Sequence, residues 1–241
     1  MAPLFLALGT FVSTMFGGLF ALRNRRALHY VLGFTAGVIM GVFTFDLLPE
    51  IFRQIQANNM ATTVPTIALI SGFLLFHIAE KSILLHHAHE TEYGKHHHPQ
   101  VGLLSALALS GHSFLDGVGI GLGFQVNAAV GLAVAIAVIG HDFADGMNTI
   151  TLMLTNKNGT RRSKVLLFVD AAAPVVGVLS TKLIHLSPAN LVLYLCFFAG
   201  FLLYIGASDI LPQAHEENSN ALTIILTVTG TIFMFIVTRF V

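Results

Sequence analysis

Eight apolar segments follow one another along this chain, and no other feature constrains its fold as strongly. Each segment approaches the ~20 mostly apolar residues that an α-helix needs to cross a bilayer. Only 10% of the residues are charged and the mean hydropathy is +0.79, whereas a soluble domain of this length needs more surface charge. Because a helix satisfies its own backbone polar groups in lipid, we predict an all-α integral membrane protein. Predicted spans 1 to 8 are Leu4–Leu22, Leu32–Phe52, Val64–Leu85, Val101–Gly121, Ala128–Leu154, Lys164–Leu183, Ala189–Leu211 and Ala221–Phe240.

Lysine and arginine are distributed unevenly between the two sides of such a topology. Most of them follow spans 1, 3 and 5, and the opposite side holds only Arg53, Lys182 and Arg239. By the positive-inside rule, the loops after spans 1, 3 and 5 are cytoplasmic and both termini lie outside. The formal net charge is +0, which gives no indication of nucleic-acid binding, so we expect no nucleic-acid partner.

Spans 2 and 7 repeat one sequence pattern. Span 2 contains "FTAGVIMGVFTFDLLPE" from Phe34, and span 7 contains "FFAGFLLYIGASDILPQ" from Phe197, with an aspartate and a proline in register. The two copies run in opposite directions in the predicted topology, so spans 1–3 and 6–8 form an inverted pair of the kind found in alternating-access carriers. We predict one transporter domain over 1–241 in a 3+2+3 arrangement. Its parts are a first repeat (1–85), a His-rich cytoplasmic loop (86–100), a central hairpin of spans 4 and 5 (101–154) and a second, inverted repeat (164–241).

The central hairpin contains two related motifs, "GHSFLDG" from 111 and "GHDFADG" from 140. Each places a histidine and an aspartate four residues apart, on one helix face: His112 with Asp116, and His141 with Asp145. Asp142 lies beside them. Carboxylates inside a membrane are costly without compensation, and imidazole with carboxylate suits zinc, iron or manganese. The alternative is a His–Asp hydrogen-bond network that ties the two helices together.

Small residues and polar helix ends complete the pattern in the spans. Gly117, Gly119, Gly121 and Gly146 follow the aspartates and indicate close helix packing. Asp46 and Glu50 lie near the end of span 2, and Asp209 and His215 near the end of span 7. Asp46 and Asp209 precede the matched prolines, so we predict that they line an ion path. For Glu50 and His215, solvated helix ends are an equal alternative to the ion path.

The loop after span 3 is rich in histidine and has few apolar residues, so it cannot form a packed core. It has the sequence "HHAHETEYGKHHHPQ" from 86. We interpret it as a segment that collects or senses metal, with a solvated linker as the alternative. Its histidines are His86, His87, His89, His96, His97 and His98.

The two hairpin motifs, the repeat and the His-rich loop resemble the ZIP (Zrt/Irt-like) metal transporters over essentially the whole chain. Members of that family carry motifs similar to "HNFPEG" in span 4 and "HEIPHE" or "HEIPEG" in span 5. The resemblance implies that His112, Asp116, His141 and Asp145 are the primary transport-site ligands. It also implies that Ser113 and Asp142 occupy positions that help to hold a second metal.

The chain departs from the family pattern at several positions. Span 6 has Ala173-Pro174 where many members have Glu-Pro, and Asp170 lies one turn earlier, so one bound metal and two are alternatives. Aspartates replace glutamates in both hairpin motifs, which changes the size of the cavity. Met40 in span 2 matches a position where some members offer a thioether, for which apolar packing is the other interpretation.

These features predict a carrier, not an enzyme, that moves a divalent transition metal into the cytoplasm by rocking of the outer halves against the hairpin. Zn²⁺ is the expected substrate, Fe²⁺, Mn²⁺ or Cd²⁺ are alternatives, and no organic cofactor is expected. The partners are the metal ion and the lipid bilayer, and a homodimer is left open. Two other functions fit the same residues: an intramembrane hydrolase with a zinc-activated water, and a membrane metal sensor or scaffold without flux.

Overall fold

The computed structural model describes residues 2–24, 28–90, 99–184, 186–216 and 221–239. Each predicted span coincides with one helical segment, so the predicted all-α class is confirmed. Within these ranges, six segments are long and apolar enough to cross a membrane, and two shorter apolar helices cover Thr63–Ile78 and Ala221–Val237. The α-helices are Ala2–Ala21 (span 1), Leu28–Val42 and Leu48–Ala57 (span 2), Thr63–Glu90 (span 3), Pro99–Val126 (span 4), Ala128–Thr155 (span 5), Thr160–Ser180 (span 6), Pro188–Tyr204 and Leu211–Glu216 (span 7) and Ala221–Val237 (span 8).

Spans 2 and 7 each contain a wide π-helical turn, at Phe43–Leu47 and Ile205–Ile210. Both turns immediately precede the helical stretch that contains the matched proline, Pro49 or Pro212. Proline has no N–H, and its ring clashes with the carbonyl four residues earlier, so a wider turn lets the helix continue. The helices run past the predicted ends of spans 2 and 7, Phe52 and Leu211, to Ala57 and Glu216.

The predicted His-rich loop is shorter than expected. The helix of span 3 extends to Glu90, and that of span 4 begins at Pro99. Histidine and glutamate do not break a helix, and proline is well tolerated in the first turn. His86, His87 and His89 therefore belong to the helix of span 3, whereas His96, His97 and His98 lie outside the described residues.

The helices pack in two groups. Span 1 packs on span 5 and span 4 packs on span 6, with spans 4 and 5 also in contact; we call spans 1, 4, 5 and 6 the site bundle. Span 2 packs on span 8 and span 3 packs on span 7, and we call these four the flanking bundle. The end of span 7 contacts span 2 and joins the two pairs of the flanking bundle.

Glycines dock the helices of the site bundle backbone to backbone. A Cβ at Gly17 of span 1 would strike the carbonyl of Phe143 in span 5. The matching contact joins Gly177 of span 6 to the carbonyl of Phe114 in span 4. Phe114 and Phe143 occupy the same position in the two hairpin motifs, so the two helix pairs share one docking geometry.

The reciprocal contacts are matched in the same way. Gly146 of span 5 meets the carbonyl of Thr14, and Gly117 of span 4 meets the carbonyl of Pro174. Gly119 packs on the ring of Phe198, and Gly121 on Thr181. The predicted role of these four glycines in close helix packing is confirmed.

The flanking bundle repeats this arrangement with its own pair of contacts. Gly230 of span 8 meets the carbonyl of Phe34, and Gly72 of span 3 meets the carbonyl of Phe197. Phe34 and Phe197 are the first residues of the two copies of the repeat. Spans 2 and 8 therefore dock as spans 7 and 3 do.

The interface between the two bundles consists mainly of side chains. A Cβ at Gly140 would lie 3.4 Å from Cγ1 of Val38, and Gly119 faces the ring of Phe198. One long hydrogen bond, 3.5 Å, runs from the hydroxyl of Thr35 to the carbonyl of Gly140. At these positions the two bundles meet through side chains, whereas the helices within each bundle meet backbone to backbone.

Candidate metal centre

Four side chains of spans 4 and 5 converge where these two helices meet. His112, Asp116, His141 and Asp145 each offer one ligand atom, and these atoms lie within 4.8 Å of one another. Nε2 of each histidine is 3.2 Å from Oδ2 of Asp116 and 3.7 Å from Oδ2 of Asp145. Ligand atoms about 2.1 Å from a tetrahedral metal lie about 3.4 Å apart, so the spacing fits one ion in the middle.

His141 is oriented as a metal ligand by its own helix. Its Nδ1 lies 3.0 Å from the carbonyl oxygen of Ala137, and a carbonyl only accepts, so Nδ1 carries a proton. In the neutral ring, Nε2 then presents its lone pair to the carboxylate of Asp116, 3.2 Å away. Two lone pairs facing each other repel, so the centre of the cluster requires a proton or a cation.

Three of the four ligand side chains are buried, and the side chain of His112 is 16% exposed. Asp116 and His141 are 0% exposed, and Asp145 is 4% exposed. The described residues provide no hydrogen-bond donor to Oδ1 of Asp116 or to Oδ2 of Asp145. Buried carboxylates without donors are costly, and a divalent cation would compensate two of them at once.

Asp142 lies against the same cluster. Its side chain is 0% exposed and its Oδ1 is 3.8 Å from Nε2 of His141. Neither of its carboxylate oxygens has a hydrogen-bond partner among the described residues. Asp142 therefore places a buried carboxyl group beside the four converging ligand atoms without supplying one of them.

The side chains of Ser113 and Asp170 contact each other directly, through a hydrogen bond. The hydroxyl of Ser113 donates to Oδ1 of Asp170 at 2.8 Å, and that of Thr149 donates to Oδ2 at 2.7 Å. All three residues are buried. Thr149 was missed in the sequence, although it follows Asp145 by four residues and so lies on the same helix face. Asp170 thus links span 6 to both helices of the hairpin.

Met40, Asp46, Asp209 and His215 lie outside the cluster of four ligand atoms. Asp46 and Asp209 each occupy a π-helical turn and are half-buried. Oδ1 of Asp209 accepts a hydrogen bond from Gln213 at 2.8 Å, while Oδ2 of Asp46 has no such partner within the described ranges. The sulfur of Met40 lies beside Gly206, 3.6 Å from where a Cβ would stand.

His215 and Glu50 are both tied to protein groups. Nδ1 of His215 donates to the carbonyl of Leu211 at 2.9 Å, and the ring lines an apolar cavity of about 450 Å³ between spans 7 and 8. Glu50 is 2% exposed, so it is not the solvated helix end that the sequence left open. Arg53 pairs with it at 2.6 Å, and Asn127 of the loop between spans 4 and 5 donates to it at 2.9 Å.

Residues 86–238, more than half of the chain, match the family described as ZIP Zinc transporter. The chain belongs to this family. Over 95% of its length it is 29% identical to the zinc transporter ZupT of Chlorobium luteolum, of which 94% is covered. ZupT proteins of Streptococcus mutans (26% identity, 92% of this chain, 91% of the relative) and Chlorobium chlorochromatii (27%, 97% and 93%) are similar over comparable lengths.

Membership of the ZIP family confirms several predictions. The family consists of transporters and not of enzymes, so the prediction that the chain is not an enzyme is confirmed and the hydrolase alternative falls away. The apolar helices and the family together make the chain a multi-pass membrane protein. The His-rich segment 86–98 opens the matched region, but its metal-binding role stays a prediction.

Proposed function

We propose that this ZIP protein carries Zn²⁺ across the membrane through a site formed by His112, Asp116, His141 and Asp145. The observation that carries the proposal is the convergence of four ligand atoms within 4.8 Å of one another in a buried cluster with unpaired carboxylate oxygens. Two nitrogen and two oxygen ligands suit zinc, and the similar ZupT proteins are zinc transporters by name. Fe²⁺, Mn²⁺ and Cd²⁺ are competing substrates of the same ligand set.

The site is proposed to hold one ion at a time. A second ion beside the first needs ligands from Ser113, Asp142 and Asp170. Both oxygens of Asp170 already accept hydroxyl hydrogens, from Ser113 and Thr149, and span 6 has Ala173 where many family members have glutamate. Asp142 then acts through its charge, which strengthens the attraction for a cation at the four-residue site.

Alternating access is proposed to move one bundle against the other. The sequence led us to expect the outer halves to rock against the hairpin, but spans 1 and 6 dock on the hairpin through glycine–carbonyl contacts. The site bundle is therefore one unit, and the side-chain interface with the flanking bundle is the surface that slides. The ligands all lie on the site bundle, so the ion travels with it.

The inverted 3+2+3 repeat remains part of this proposal and has structural support. Exchange of spans 1, 2, 3 and 4 for spans 6, 7, 8 and 5 converts the glycine–carbonyl contacts of Gly17, Gly146 and Gly72 into those of Gly177, Gly117 and Gly230. Such symmetry gives a carrier two related states that open to opposite sides. The basic residues after spans 1, 3 and 5 support a cytoplasmic location for those loops, and we propose that both termini lie outside and that zinc moves inward.

Uptake of radioactive zinc into proteoliposomes tests the proposal. We expect zinc-dependent uptake by the parent protein and uptake at the background of empty liposomes for His112→Ala and Asp116→Ala. Ser110→Ala is the matched control, because Ser110 is also buried in span 4 but donates only to the carbonyl of Ala106. Undiminished uptake by both ligand variants would overturn the site. Zinc binding by the parent without any uptake would favour a sensor.

A further inference from the structure

A buried polar contact crosses between the two bundles at one end of the molecule. Oε1 of Glu50, in span 2, accepts hydrogen bonds from Asn127 at 2.9 Å and from Gln54 at 2.8 Å. Oε2 of Glu50 pairs with Arg53. Glu50 belongs to the flanking bundle, and Asn127 belongs to the loop between spans 4 and 5 of the site bundle. This contact therefore fixes the relative position of the bundles at what we call the Asn127 end.

Asn127 is held in the orientation that this contact needs. Its side-chain oxygen accepts from the backbone N–H of Val130 at 2.9 Å and caps the helix of span 5. The amide nitrogen must then point away from the helix, toward Glu50. A donor fixed by a helix cap loses little conformational freedom when it binds a carboxylate, so the contact is preorganised.

The opposite end of the molecule carries the equivalents of both partners. Gln213 occupies the position of Glu50 in the second copy of the repeat, after Leu-Pro in each case. Asn156 follows "GHDFADG" at the same distance as Asn127 follows "GHSFLDG". Asn127 lies at the end of span 4, and Asn156 lies at the end of span 5. Because spans 4 and 5 are antiparallel, Asn156 lies at the end of the hairpin opposite to Asn127.

These equivalents bind other groups in the present structure. Gln213 donates to Oδ1 of Asp209 at 2.8 Å and is exposed. Asn156 donates to the carbonyl of Leu152 in its own helix at 3.0 Å. Within the described ranges, the bundles are thus linked by the Glu50–Asn127 contact at one end, while Gln213 and Asn156 at the other end are bonded within their own bundles.

We propose that Glu50–Asn127 and Gln213–Asn156 are alternating latches, each closed in one of the two access states and open in the other. This inference rests on the proposed movement of the site bundle against the flanking bundle. In an inverted repeat, each half takes the conformation of the other when the carrier changes state. Gln213 then reaches Asn156 as Glu50 reaches Asn127 here, and Glu50 is released.

The two latches differ in chemistry. The Glu50 latch is a charge-assisted hydrogen bond to a carboxylate, whereas the Gln213 latch joins two neutral amides. Charge-assisted bonds are the stronger kind, so the state with Glu50 and Asn127 in contact is favoured in the absence of metal. Glu50→Gln should remove that preference, because it makes the two latches alike.

Cysteine pairs in purified protein test the proposal directly. Cys196 is the only native cysteine and is buried, so Cys196→Ala provides the background. The two latch pairs are Glu50→Cys with Asn127→Cys and Asn156→Cys with Gln213→Cys. The matched controls are the two crossed pairs, 50 with 156 and 127 with 213, which join opposite ends. A protease site is placed between the two cysteines of each pair, at 91–98 or at 184–187. After treatment with a short bis-methanethiosulfonate cross-linker and cleavage, the two fragments of a linked protein stay together until the link is reduced.

We expect the cross-linker to link both latch pairs and to link neither of the crossed pairs. Adding Glu50→Gln to the 156/213 pair should raise its linked fraction several-fold. Failure of the 156/213 pair to link, with and without zinc, while the 50/127 pair links, would overturn the alternating latch. Equal linking of the crossed pairs would overturn it too.

Zinc uptake by the same variants separates this inference from the proposed function. Linking either latch pair should stop uptake, and reduction should restore it. A parent protein that shows no zinc uptake but gives the expected linking pattern would contradict the transport proposal and leave the latch in place. Uptake that continues while either latch pair is fully linked would contradict the latch.

Discussion

Single residues of this protein act through partners that neighbouring helices supply. Asp170 shows this most clearly, because its carboxylate accepts one hydroxyl from span 4 and one from span 5. A buried carboxylate that is hydrogen-bonded at both oxygens is stable without a metal, whereas Asp116 and Asp145 each have one oxygen without a hydrogen-bond partner among the described residues. Two kinds of buried aspartate therefore coexist: Asp170 joins helices, whereas Asp116 and Asp145 are proposed metal ligands.

Removal of the Asp170 carboxylate should loosen the site. We expect Asp170→Ala to lower the thermal unfolding midpoint in detergent and to weaken zinc binding measured by calorimetry, because span 6 no longer ties Ser113 to Thr149. Hydrogen bonds between membrane helices contribute about 0.6 to 1.7 kcal/mol each.

Thr149→Val provides the double-mutant cycle for this prediction. It removes one of the two bonds and keeps the shape of the side chain. If Asp170→Ala costs the same stability with and without Thr149, the two residues are not coupled and the prediction is wrong.

Helices in this chain are positioned by glycines and interrupted by π-helical turns. The glycine–carbonyl contacts bring pairs of backbones together, and they occur at matched positions in both bundles. The π-helical turns of spans 2 and 7 place an aspartate just before each proline. Glycine has no side chain and proline has no backbone N–H. Both features follow from these two residue types, which therefore act on the course of the helix.

Alanine at Gly17 and at Gly177 should destabilise the protein to a similar extent. The new Cβ of each would meet a backbone carbonyl, of Phe143 or of Phe114, which cannot move without its helix. Overpacking of this kind typically costs about 1 to 3 kcal/mol, measured as a lower thermal midpoint in detergent.

Gly111→Ala is the control for these two variants. Gly111 is helical and exposed, with no atom within 4 Å of the new Cβ. It should keep or raise the midpoint, since alanine favours a helix by about 1 kcal/mol over glycine. If Gly111→Ala lowers the thermal midpoint as much as Gly17→Ala does, contact between helices is not the cause of the lower midpoint.

The whole molecule consists of two bundles with different kinds of interface. Backbone docking holds each bundle together, and side chains separate the two. All four proposed ligands lie on one bundle, so the proposed shift between the bundles would change which side of the membrane the site faces without disturbing the ligand geometry. Metal binding is thus proposed to depend on the hairpin, and movement on the interface between the two bundles.

A cross-link between the bundles should stop transport, and one within a bundle should not. Gly119 of span 4 contacts Phe198 of span 7 across the interface, while Gly121 of span 4 contacts Thr181 after span 6 inside the site bundle. We expect the pair Gly119→Cys and Phe198→Cys to lose zinc uptake on linking in the Cys196→Ala background.

The pair Gly121→Cys and Thr181→Cys is matched to it, two residues further along the same helix. Its uptake should be the same before and after linking. Equal inhibition by both links would contradict movement of the site bundle as one unit.

The sequence by itself determined the class of protein, the repeat and the chemistry of the site. Apolar length, the paired aspartate and proline of spans 2 and 7, and the two His–Asp motifs are local patterns, and local patterns can be recognised without neighbours. The His–Asp spacing also predicted which atoms share a helix face, and the structure brings both faces together.

Only the tertiary structure decided which helices pack together, and with them the partners of Glu50 and Asp170. In a membrane protein, the faces toward lipid and toward other helices are both apolar, so hydrophobic periodicity does not show which face meets which neighbour. Docking depends instead on where a glycine of one helix meets a carbonyl of a distant one. For this reason spans 1 and 6 join the hairpin, and Glu50 is buried against Asn127 and is not a solvated helix end.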